Sequence, residues 1–458
     1  MTQSSNNYPH VYEDECISYK SLFPSFSKKD FDKLDEIYNQ LDIDGEIKKL
    51  FSEYKINTTE DQAALHHVYR SAHGLKISSV HENYYEDAKS SISKCIKFKE
   101  KLINKGIKNV VTIGIGGSFE GPKLLLETLT QKHERSFNHI FLTGPDTQEF
   151  KDEIVPLNKN ETFFIVSSKS FSTDETMQSL GLARAWIGDD LEFKDHFICI
   201  TSQIEKAKNF DFDETTAIQF PNEIGGRYSM WSPISLAAIL ELEDQFLDFL
   251  KGGSLADKNL ISNRDYKKFI KTIIFGDIWH NNFDNKPVRV LLTYSWKLRY
   301  FTDYAQQLEM ESLGKGANKN AHFNRTGQVI FGGFGSTAQH SYFQLLHQGT
   351  SSFCADIICV DTDKKENELL FAQSQAQAGL LAFGADENLQ DHEKVNGQSP
   401  VNLISLKELN PFNLGYLIAS WEHRVFLTSC MLQINPFDQY GVSAGKIFAR
   451  KYLDSNGG

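Results

Sequence analysis

Two short segments of the sequence carry the residue types that bind anions in proteins. Residues 114–118 (G-I-G-G-S) follow an apolar run, and their glycines would let backbone amides approach a ligand. Residues 167–173 (S-S-K-S-F-S-T) follow another apolar run and combine five hydroxyl side chains with a lysine. Such a run exceeds what helix capping needs, so we expect it to bind phosphate. The glycine segment stays open between a ligand cradle and a plain strand-to-helix turn.

An arginine and a pair of glutamates could supply charge stabilisation and proton transfer. Arg227 follows two glycines, where its guanidinium could hold an anion or a developing oxyanion, and a surface ion pair is an equal alternative. Glu309 and Glu311 are two positions apart and should face different directions. We expect one carboxylate to enter a pocket and the other to be solvated, although a lone glutamate is commonly just a solvated helix residue.

Residues 332–340 (G-G-F-G-S-T-A-Q-H) keep a second enzyme class open. Three positions fit the G-x-G-x-x-A pattern of dinucleotide-binding turns, and two aspartates lie about 20 residues further on, where a ribose-binding acid would stand. A nicotinamide-dependent enzyme is therefore an alternative. The residues concerned are Gly333, Gly335, Ala338, Asp356 and Asp361.

The last polar segments are less diagnostic. Glu422, His423 and Arg424 are typical of the solvated face of a long amphipathic helix. Residues 435–446 end in Gly445 and Lys446, a pattern that does not define a site by its spacing.

The elements that would position these residues follow from hydrophobic periodicity. Residues 1–105 read as helices, with Ser27 as an N-cap and a second helix stopping at Gly106. From there, short apolar strands alternate with helices, which indicates parallel sheets covered on both faces. We predict an α/β protein with two αβα sandwich domains, mainly parallel sheets and N-terminal helices. The predicted parts are a helical segment 1–105 and sandwiches 106–253 and 254–458, with the boundary at residues 251–254.

Composition limits the function further. The chain has 458 residues, 40% of them hydrophobic, and a formal net charge of -12, which disfavours binding to nucleic acid. Its six cysteines form no C-x-x-C pair, and we find no signal peptide, no run of about 18 apolar residues and no metal-ligand spacing. We therefore expect a cytoplasmic protein without a membrane span or a metal site.

Taken together, the motifs resemble the glucose-6-phosphate isomerase family, also called phosphoglucose isomerase. Their collinear order carries the resemblance, which spans roughly residues 55–447. The resemblance implies two αβα sandwiches, usually in a homodimer, and interconversion of glucose 6-phosphate and fructose 6-phosphate through a cis-enediol without metal or cofactor. It makes the G-x-G-x-x-A match a coincidence. The segments concerned are residues 114–118, 168–176, 225–229, 306–312, 339–349 and 438–446.

The resemblance also assigns roles to individual residues. Glu311 would move a proton between C2 and C1, and Arg227 would stabilise the enediolate. His340 and Lys446 would assist ring opening, with the histidine contributed by the partner subunit. The remaining positions would contact the phosphate or the sugar hydroxyls. They are Gly117, Ser118, Ser168, Lys169, Ser170 and Thr173 for the phosphate, and Gln307 and Gln439 for the sugar.

A non-catalytic sugar-phosphate sensor on the same fold remains the main alternative. The sequence departs from the family at residues 336–338, beside the proposed sugar-binding side. The presence of Glu311 argues against a sensor, because a sensor needs no base at that position.

Overall fold

The computed structural model describes residues 10–385 and 389–456. Its strands fall in two groups along the chain, and helices separate most of them. The strands are β1 Val11–Glu13, β2 Ile17–Leu22, β3 Asn109–Ile113, β4 Asn138–Leu142, β5 Thr162–Ser167, β6 Phe197–Thr201, β7 Ala217–Gln219, β8 Val288–Thr293, β9 Val329–Phe334, β10 Phe353–Val360 and β11 Val401–Leu406.

The helices surround both groups of strands. They are α1 Lys28–Gln40, α2 Ile43–Leu50, α3 His67–His73, α4 Glu82–Asn104, α5 Glu120–Leu129, α6 Thr147–Glu153, α7 Asp174–Ile187, α8 Phe193–His196, α9 Ile204–Lys208, α10 Leu236–Leu242, α11 Gln245–Ser262, α12 Arg264–Asn282, α13 Phe301–Leu313, α14 Gly335–Gln339, α15 Phe343–Gln348, α16 Asp363–Glu366, α17 Glu368–Phe383, α18 Pro411–Leu432 and α19 Tyr440–Asn456.

Two sheets form the centre of the structure. The five-stranded sheet has the order β4-β3-β5-β6-β7 and is parallel throughout. The six-stranded sheet has the order β1-β2-β11-β10-β8-β9, in which β8 to β11 are parallel and β1 and β2 are antiparallel. Helices cover both sheets, so the predicted α/β class with two mainly parallel αβα sandwiches is confirmed.

Local chemistry explains where several elements begin and end. The Ser27 hydroxyl accepts a hydrogen bond from the Asp30 amide, and the Asp30 carboxylate accepts one from the Ser27 amide, which caps α1 as predicted. Helix α4 ends just before Gly106, whose φ of 71° is a left-handed conformation that glycine adopts without strain. Asn410 caps α18, and Pro411 occupies its first turn.

Residues on alternate sides of the strands divide the core into three clusters. Val110 and Ile165 from one sheet, and Leu291 and Ile358 from the other, belong to the same large central cluster, which also contains most of α18. The opposite faces of the two sheets bury separate smaller clusters. The central cluster therefore packs the inner faces of both sandwiches into one continuous core, and this fixes the sheets relative to each other.

One prediction about the chain's organisation was wrong. Residues 10–105 are not all helical, because Ile17–Leu22 alternates buried and less buried positions and pairs with β11, nearly 400 residues away. Residues 251–254, where the boundary was predicted, lie within α11, and a Cβ on Gly252 would lie 1.8 Å from the Phe412 carbonyl oxygen. The glycines there permit close helix packing. The division of the chain into three parts at residues 105 and 253 stays a prediction.

Candidate active site

The glycine segment lies where several loops meet, beyond the carboxyl end of β3. A Cβ on Gly117 would lie 2.0 Å from the Gly226 carbonyl oxygen, so the two backbones touch. Gly116 has a φ of 57°, and a Cβ there would lie 2.9 Å from Gln307 Nε2 on α13. Position 117 has no room for a side chain, and position 116 has a left-handed conformation that glycine adopts without strain. The segment therefore contacts both the loop that carries Arg227 and the helix that carries Glu311. A plain strand-to-helix turn would not need these two contacts.

The hydroxyl-rich segment follows β5, the neighbour of β3 in the sheet. Phe171 has a φ of 46° and is buried, with its ring 5.7 Å from that of Phe210. The Lys169 carbonyl accepts hydrogen bonds from the Ser202 amide and hydroxyl at 3.2 and 2.9 Å. The buried ring and the main chain thus hold the loop, which leaves its hydroxyl side chains available.

These hydroxyls have few partners within the protein. Among the described residues, the buried Ser168 hydroxyl has no hydrogen-bond partner, and the Thr173 side chain makes no capping bond to α7. Ser170 Oγ accepts a bond of 3.1 Å from the Ser172 hydroxyl. Unsatisfied hydroxyls beside the positive N-terminal end of a 14-residue helix favour an anion.

Lys169 adds a positive charge on the side of the arginine. Burial lowers the pKa of Lys169, and the charge of Arg227 lowers it further, while Glu60 and Glu223 act in the opposite direction. The two cations are therefore close enough to interact electrostatically, and an anion between them would be attracted by both.

Arg227 joins the largest number of the predicted residues. It lies in the turn Gly226–Trp231, and all five of its N–H groups have acceptors. Nε donates to Ser312 Oγ at 2.8 Å, while Nη1 donates to Glu311 Oε2 at 3.1 Å and to Gln439 Oε1 at 2.8 Å. Nη2 donates to the carbonyls of Pro436 and Asp438. The guanidinium, which is the predicted cation, thus lies beside both the predicted base and one predicted sugar-binding residue.

Glu311 is partly exposed at the surface, whereas Arg227 is buried. The side chain of Glu311 is 31% exposed, against 1% for that of Arg227. Gln307, one helical turn earlier on α13, places Nε2 3.5 Å from Glu311 Oε2. A substrate can therefore reach the carboxylate while the guanidinium behind it stays in place.

The prediction that the other glutamate of this helix is solvated was wrong. Glu309 is 3% exposed, accepts a hydrogen bond of 2.7 Å from Trp421 Nε1 and pairs with Arg289. The helix therefore presents one carboxylate to the cleft and one to a buried ion-pair cluster. Glu309 is not solvated because α13 packs between the six-stranded sheet and α18.

Lys446 lies on α19, close to the start of α7. Arg450 donates to Asp174 Oδ1 and Oδ2 at 2.7 and 2.8 Å. This hydrogen bonding and the nearby charges of Arg450 and Lys446 lower the pKa of Asp174. Asp174 directly follows Thr173, so α19 brings Lys446 near the hydroxyl-rich loop.

His340 stands apart from this group. It ends α14, beyond the carboxyl end of β9, and its ring is exposed. In the described part of the chain, no hydrogen bond or ion pair joins its side chain to Arg227, Glu311 or Lys446. Within the described chain, Arg227 is thus bonded to Glu311, Lys446 lies near Asp174 beside the hydroxyl-rich loop, and His340 is bonded to none of them.

The geometry does not favour the dinucleotide alternative. Gly333 lies within β9, not in the turn after it, and the following helix is only five residues long. Asp356 is fully buried and bonds to Arg424 Nη1 at 2.8 Å, so it cannot reach a ribose. Asp361 accepts a hydrogen bond of 2.5 Å from the Ser405 hydroxyl.

Residues 422–424 are not on a solvated face, which corrects that expectation. All three side chains are buried. Glu422 pairs with Arg70 and accepts a hydrogen bond of 2.8 Å from Trp231 Nε1. Helix α18 lies inside the central core, so its polar residues need buried partners.

Two residues of the site were given no role in the sequence analysis. Ser312 accepts the Arg227 Nε–H, and Lys315 Nζ donates to the carbonyls of Glu311 and Asp438 at 2.6 and 2.7 Å. The usable signal was the i, i+4 spacing of Glu311 and Lys315, which places a lysine over the end of the helix that carries the base.

The described part of the chain contains neither a cluster of metal ligands nor a membrane-spanning helix. Within residues 10–385 and 389–456, no three His, Cys, Asp or Glu side chains are grouped so as to hold a metal ion. Among the helices of those residues, none combines the length and apolar character needed to cross a bilayer.

Comparison with known proteins agrees with this geometry. The family described as phosphoglucose isomerase matches residues 25–457. The glucose-6-phosphate isomerase of Legionella pneumophila strain Paris is 34% identical over 459 residues, covering 97% of this chain and 91% of the relative. The crystal structure of a glucose-6-phosphate isomerase from Chlamydia trachomatis D/UW-3/Cx is similar, with a TM-score of 0.88, 25% identity, and coverage of 97% and 89% of the two chains. The chain belongs to the phosphoglucose isomerase family.

Proposed function

We propose that this protein is an aldose–ketose isomerase that interconverts glucose 6-phosphate and fructose 6-phosphate through a cis-enediol intermediate. One observation carries the proposal. Arg227 bonds directly to Glu311 and Gln439, and the glycine segment touches both the arginine loop and α13. These contacts support the grouping of a proposed base, a proposed oxyanion-stabilising cation and a proposed anion-binding segment in one site.

The phosphate group would serve as the handle of the substrate. Ser118, Ser168, Lys169, Ser170 and Thr173 would hold it, together with the Gly117 amide. Two of these hydroxyls make few bonds within the protein, and the lysine is half-buried. Binding energy from a group that does not react can be used to place C1 and C2 against the base.

Proton transfer would run through Glu311. Its carboxylate removes the proton from C2 of the open-chain aldose, and the C1 carbonyl oxygen gains the negative charge of the enediolate. Arg227 stabilises that charge through Nη1, where the substrate oxygen would take over an acceptor position now filled by Gln439 or Glu311. The C2 hydroxyl proton passes to the C1 oxygen, the carboxyl group returns its proton to C1, and the C2 oxygen becomes the ketone. A hydrogen moves within one molecule, so the reaction needs no external oxidant.

Ring opening would use His340 and Lys446, while Gln307 and Gln439 contact the sugar hydroxyls. Because the exposed His340 side chain makes no bond to Arg227 within the described residues of one chain, we assign it to the site of a partner subunit in a homodimer. Helix α19 supports a dimer, since its apolar side chains are exposed. They are Tyr440, Val442, Ile447, Phe448, Tyr452 and Leu453.

The reaction class places the protein in the conversion of hexose phosphates in glycolysis and gluconeogenesis, and we assign it to the cytoplasm. The test is conversion of glucose 6-phosphate by the purified chain, followed by a coupled assay for fructose 6-phosphate. We expect turnover at a kcat in the range of ordinary enzymes, about 1–10³ per second. Calorimetric binding of glucose 6-phosphate without turnover by the folded protein would instead support the sensor alternative.

A further inference from the structure

Lys315 is a half-buried lysine at the site for which the proposed chemistry has no use. It follows α13, four residues after Glu311, and its side chain is 18% exposed. Its Nζ donates to the Glu311 carbonyl at 2.6 Å and to the Asp438 carbonyl at 2.7 Å, and lies 3.3 Å from Asp438 Oδ1. An ammonium group has three donors, and these three acceptors account for all of them.

Asp438 belongs to the short segment between α18 and α19, which Arg227 holds as well. Arg227 Nη2 donates to the carbonyls of Pro436 and Asp438, the latter at 2.9 Å. The Asp438 carbonyl therefore accepts hydrogen bonds from two cations. Its carboxylate accepts further bonds from the Thr59 hydroxyl at 2.7 Å and from Asn435 Nδ2 at 3.0 Å.

This segment leads directly into α19, the helix that carries Lys446, and we call residues 433–438 the root of that helix. Every side chain described from residue 440 to residue 455 is exposed, so packing contributes little to the position of α19. Beyond the root, the Arg450–Asp174 pair holds the helix, and both of its side chains are more than half exposed. Exposed pairs of this kind are weak. Within one chain, the position of α19 relative to Glu311 thus depends mainly on the bonds at its start, those to Asp438 and the 3.4 Å bond that Tyr440 Oη donates to the Thr59 carbonyl.

We propose that Lys315 is a positioning residue that ties the root of α19 and the adjacent Gln439 to the end of the helix bearing Glu311. It holds the proposed base and the proposed ring-opening lysine at a fixed separation, without touching the substrate. This inference rests on the proposed function for its catalytic consequence, but its structural consequence can be measured separately.

The first experiment measures the structural consequence. Lys315→Met is compared with Lys297→Met, a matched control whose half-buried Nζ donates to the Thr130 carbonyl at 2.5 Å. Burial lowers the pKa of both lysines. We expect hydrogen–deuterium exchange in residues 440–456 to be faster in Lys315→Met than in the wild type, and unchanged in Lys297→Met. Unchanged exchange in Lys315→Met would overturn the inference, whatever the activity of the protein.

The second experiment measures kinetics on the full chain. We expect Lys315→Met to lower kcat about 10- to 100-fold, because small misplacements of reacting groups have effects of that size. Inhibition by inorganic phosphate, which probes the hydroxyl-rich loop, should stay unchanged. Lys297→Met should keep the wild-type kcat, and Lys315→Arg should recover part of the loss because it keeps a cation at that position.

The outcomes separate the two proposals. An inactive wild type would contradict the proposed function, while the exchange experiment would still decide the role of Lys315. An active wild type with equal kcat in Lys315→Met and Lys297→Met would contradict the positioning role alone. If Lys315→Met does not fold, Asp438→Asn replaces it, since it weakens the same contact from the other side. Unchanged exchange in residues 440–456 of that variant would also count against the inference.

Discussion

Arg70 and Arg227 each meet carboxylates in this protein, yet their surroundings differ. Arg70 Nε donates to Asp257 Oδ2 at 2.7 Å and Nη1 donates to Glu422, and the three side chains are at most 2% exposed. Arg227 bonds mainly to carbonyl, hydroxyl and amide oxygens, and its single carboxylate partner, Glu311, is open to the cleft.

This contrast separates a buried structural ion pair from the pair that we propose to be catalytic. In the Arg70 cluster, the His423 ring bonds to Asp257 at 2.9 Å and Trp231 covers the guanidinium, so no surface is left for a ligand. Burial raises the pKa of Glu422 to about 7, and Arg70 opposes that rise. A buried carboxylate of this kind depends on its arginine, whereas a carboxylate that reacts must remain reachable.

The largest expected effect is on stability, in the buried cluster of Arg70, Asp257 and Glu422. Arg70→Ala leaves Asp257 and Glu422 buried without their cation, and should lower the free energy of unfolding by about 3–5 kcal/mol. Urea denaturation measures it, with Arg184→Ala as the control. That variant breaks an exposed pair with Asp211 and should cost less than about 1 kcal/mol. Equal losses in the two variants would remove the distinction between sealed and exposed pairs.

For Arg227 and its partner Glu311, the main effect of a substitution should be on catalysis. Arg227→Ala removes the group that faces the developing enediolate, and should lower kcat about 10²–10³-fold. Its loss of stability should be smaller than that of Arg70→Ala, because most of the acceptors left behind are neutral. Steady-state kinetics and urea denaturation on the same preparations provide both numbers. The account is contradicted if Arg227→Ala is as unstable as Arg70→Ala and keeps its activity per folded molecule.

A smaller effect is expected at the phosphate-binding loop. Ser168→Ala removes a buried hydroxyl with no partner in the described chain, so stability should not fall, while KM should rise about tenfold through loss of a charge-assisted hydrogen bond. Ser374→Ala is the matched control, since its buried hydroxyl donates to the Phe371 carbonyl at 2.6 Å on α17. The KM of Ser374→Ala should equal that of the wild type. A Ser168→Ala variant with normal KM and reduced stability would make this hydroxyl structural.

The smallest effect concerns Glu120, a carboxylate paired with neither arginine. Burial and the charge of Asp303 raise the pKa of Glu120 to about 7, with Lys123 opposing. The folded state therefore holds this proton more tightly than the unfolded state, and the free energy of unfolding should fall as pH rises from about 4.5 to about 7. Glu120→Gln should lose less stability over that interval. Urea denaturation at several pH values tests this, and parallel curves for the two proteins would refute it.

Local sequence patterns predicted much of the site. Glycines at 116 and 117 indicated close backbone approach, and the hydroxyls at 168–173 indicate the proposed anion binding, because each signal lies within one short segment of the sequence. The capping box at Ser27 was predictable for the same reason. The motif order then linked distant segments through the family resemblance.

What the sequence did not reveal depends on contacts between distant residues. Ile17–Leu22 forms a strand because its backbone pairs with the edge of β11. The proposed role of Lys315 depends on Asp438, which is 123 residues away in the sequence. Glu309 and Glu422 look like solvated helix residues until their buried partners are known. Propensity and periodicity carry no information about such partners.

The most direct test of the central claim is the rate at which Glu311→Gln converts glucose 6-phosphate to fructose 6-phosphate, followed by NMR beside the wild type. Glutamine keeps the size of the side chain but cannot accept the C2 proton. The account predicts a loss of at least about 10²–10⁴-fold, with inorganic phosphate binding intact. Conversion by Glu311→Gln at a rate close to that of the wild type would contradict the assignment of this carboxylate as the base.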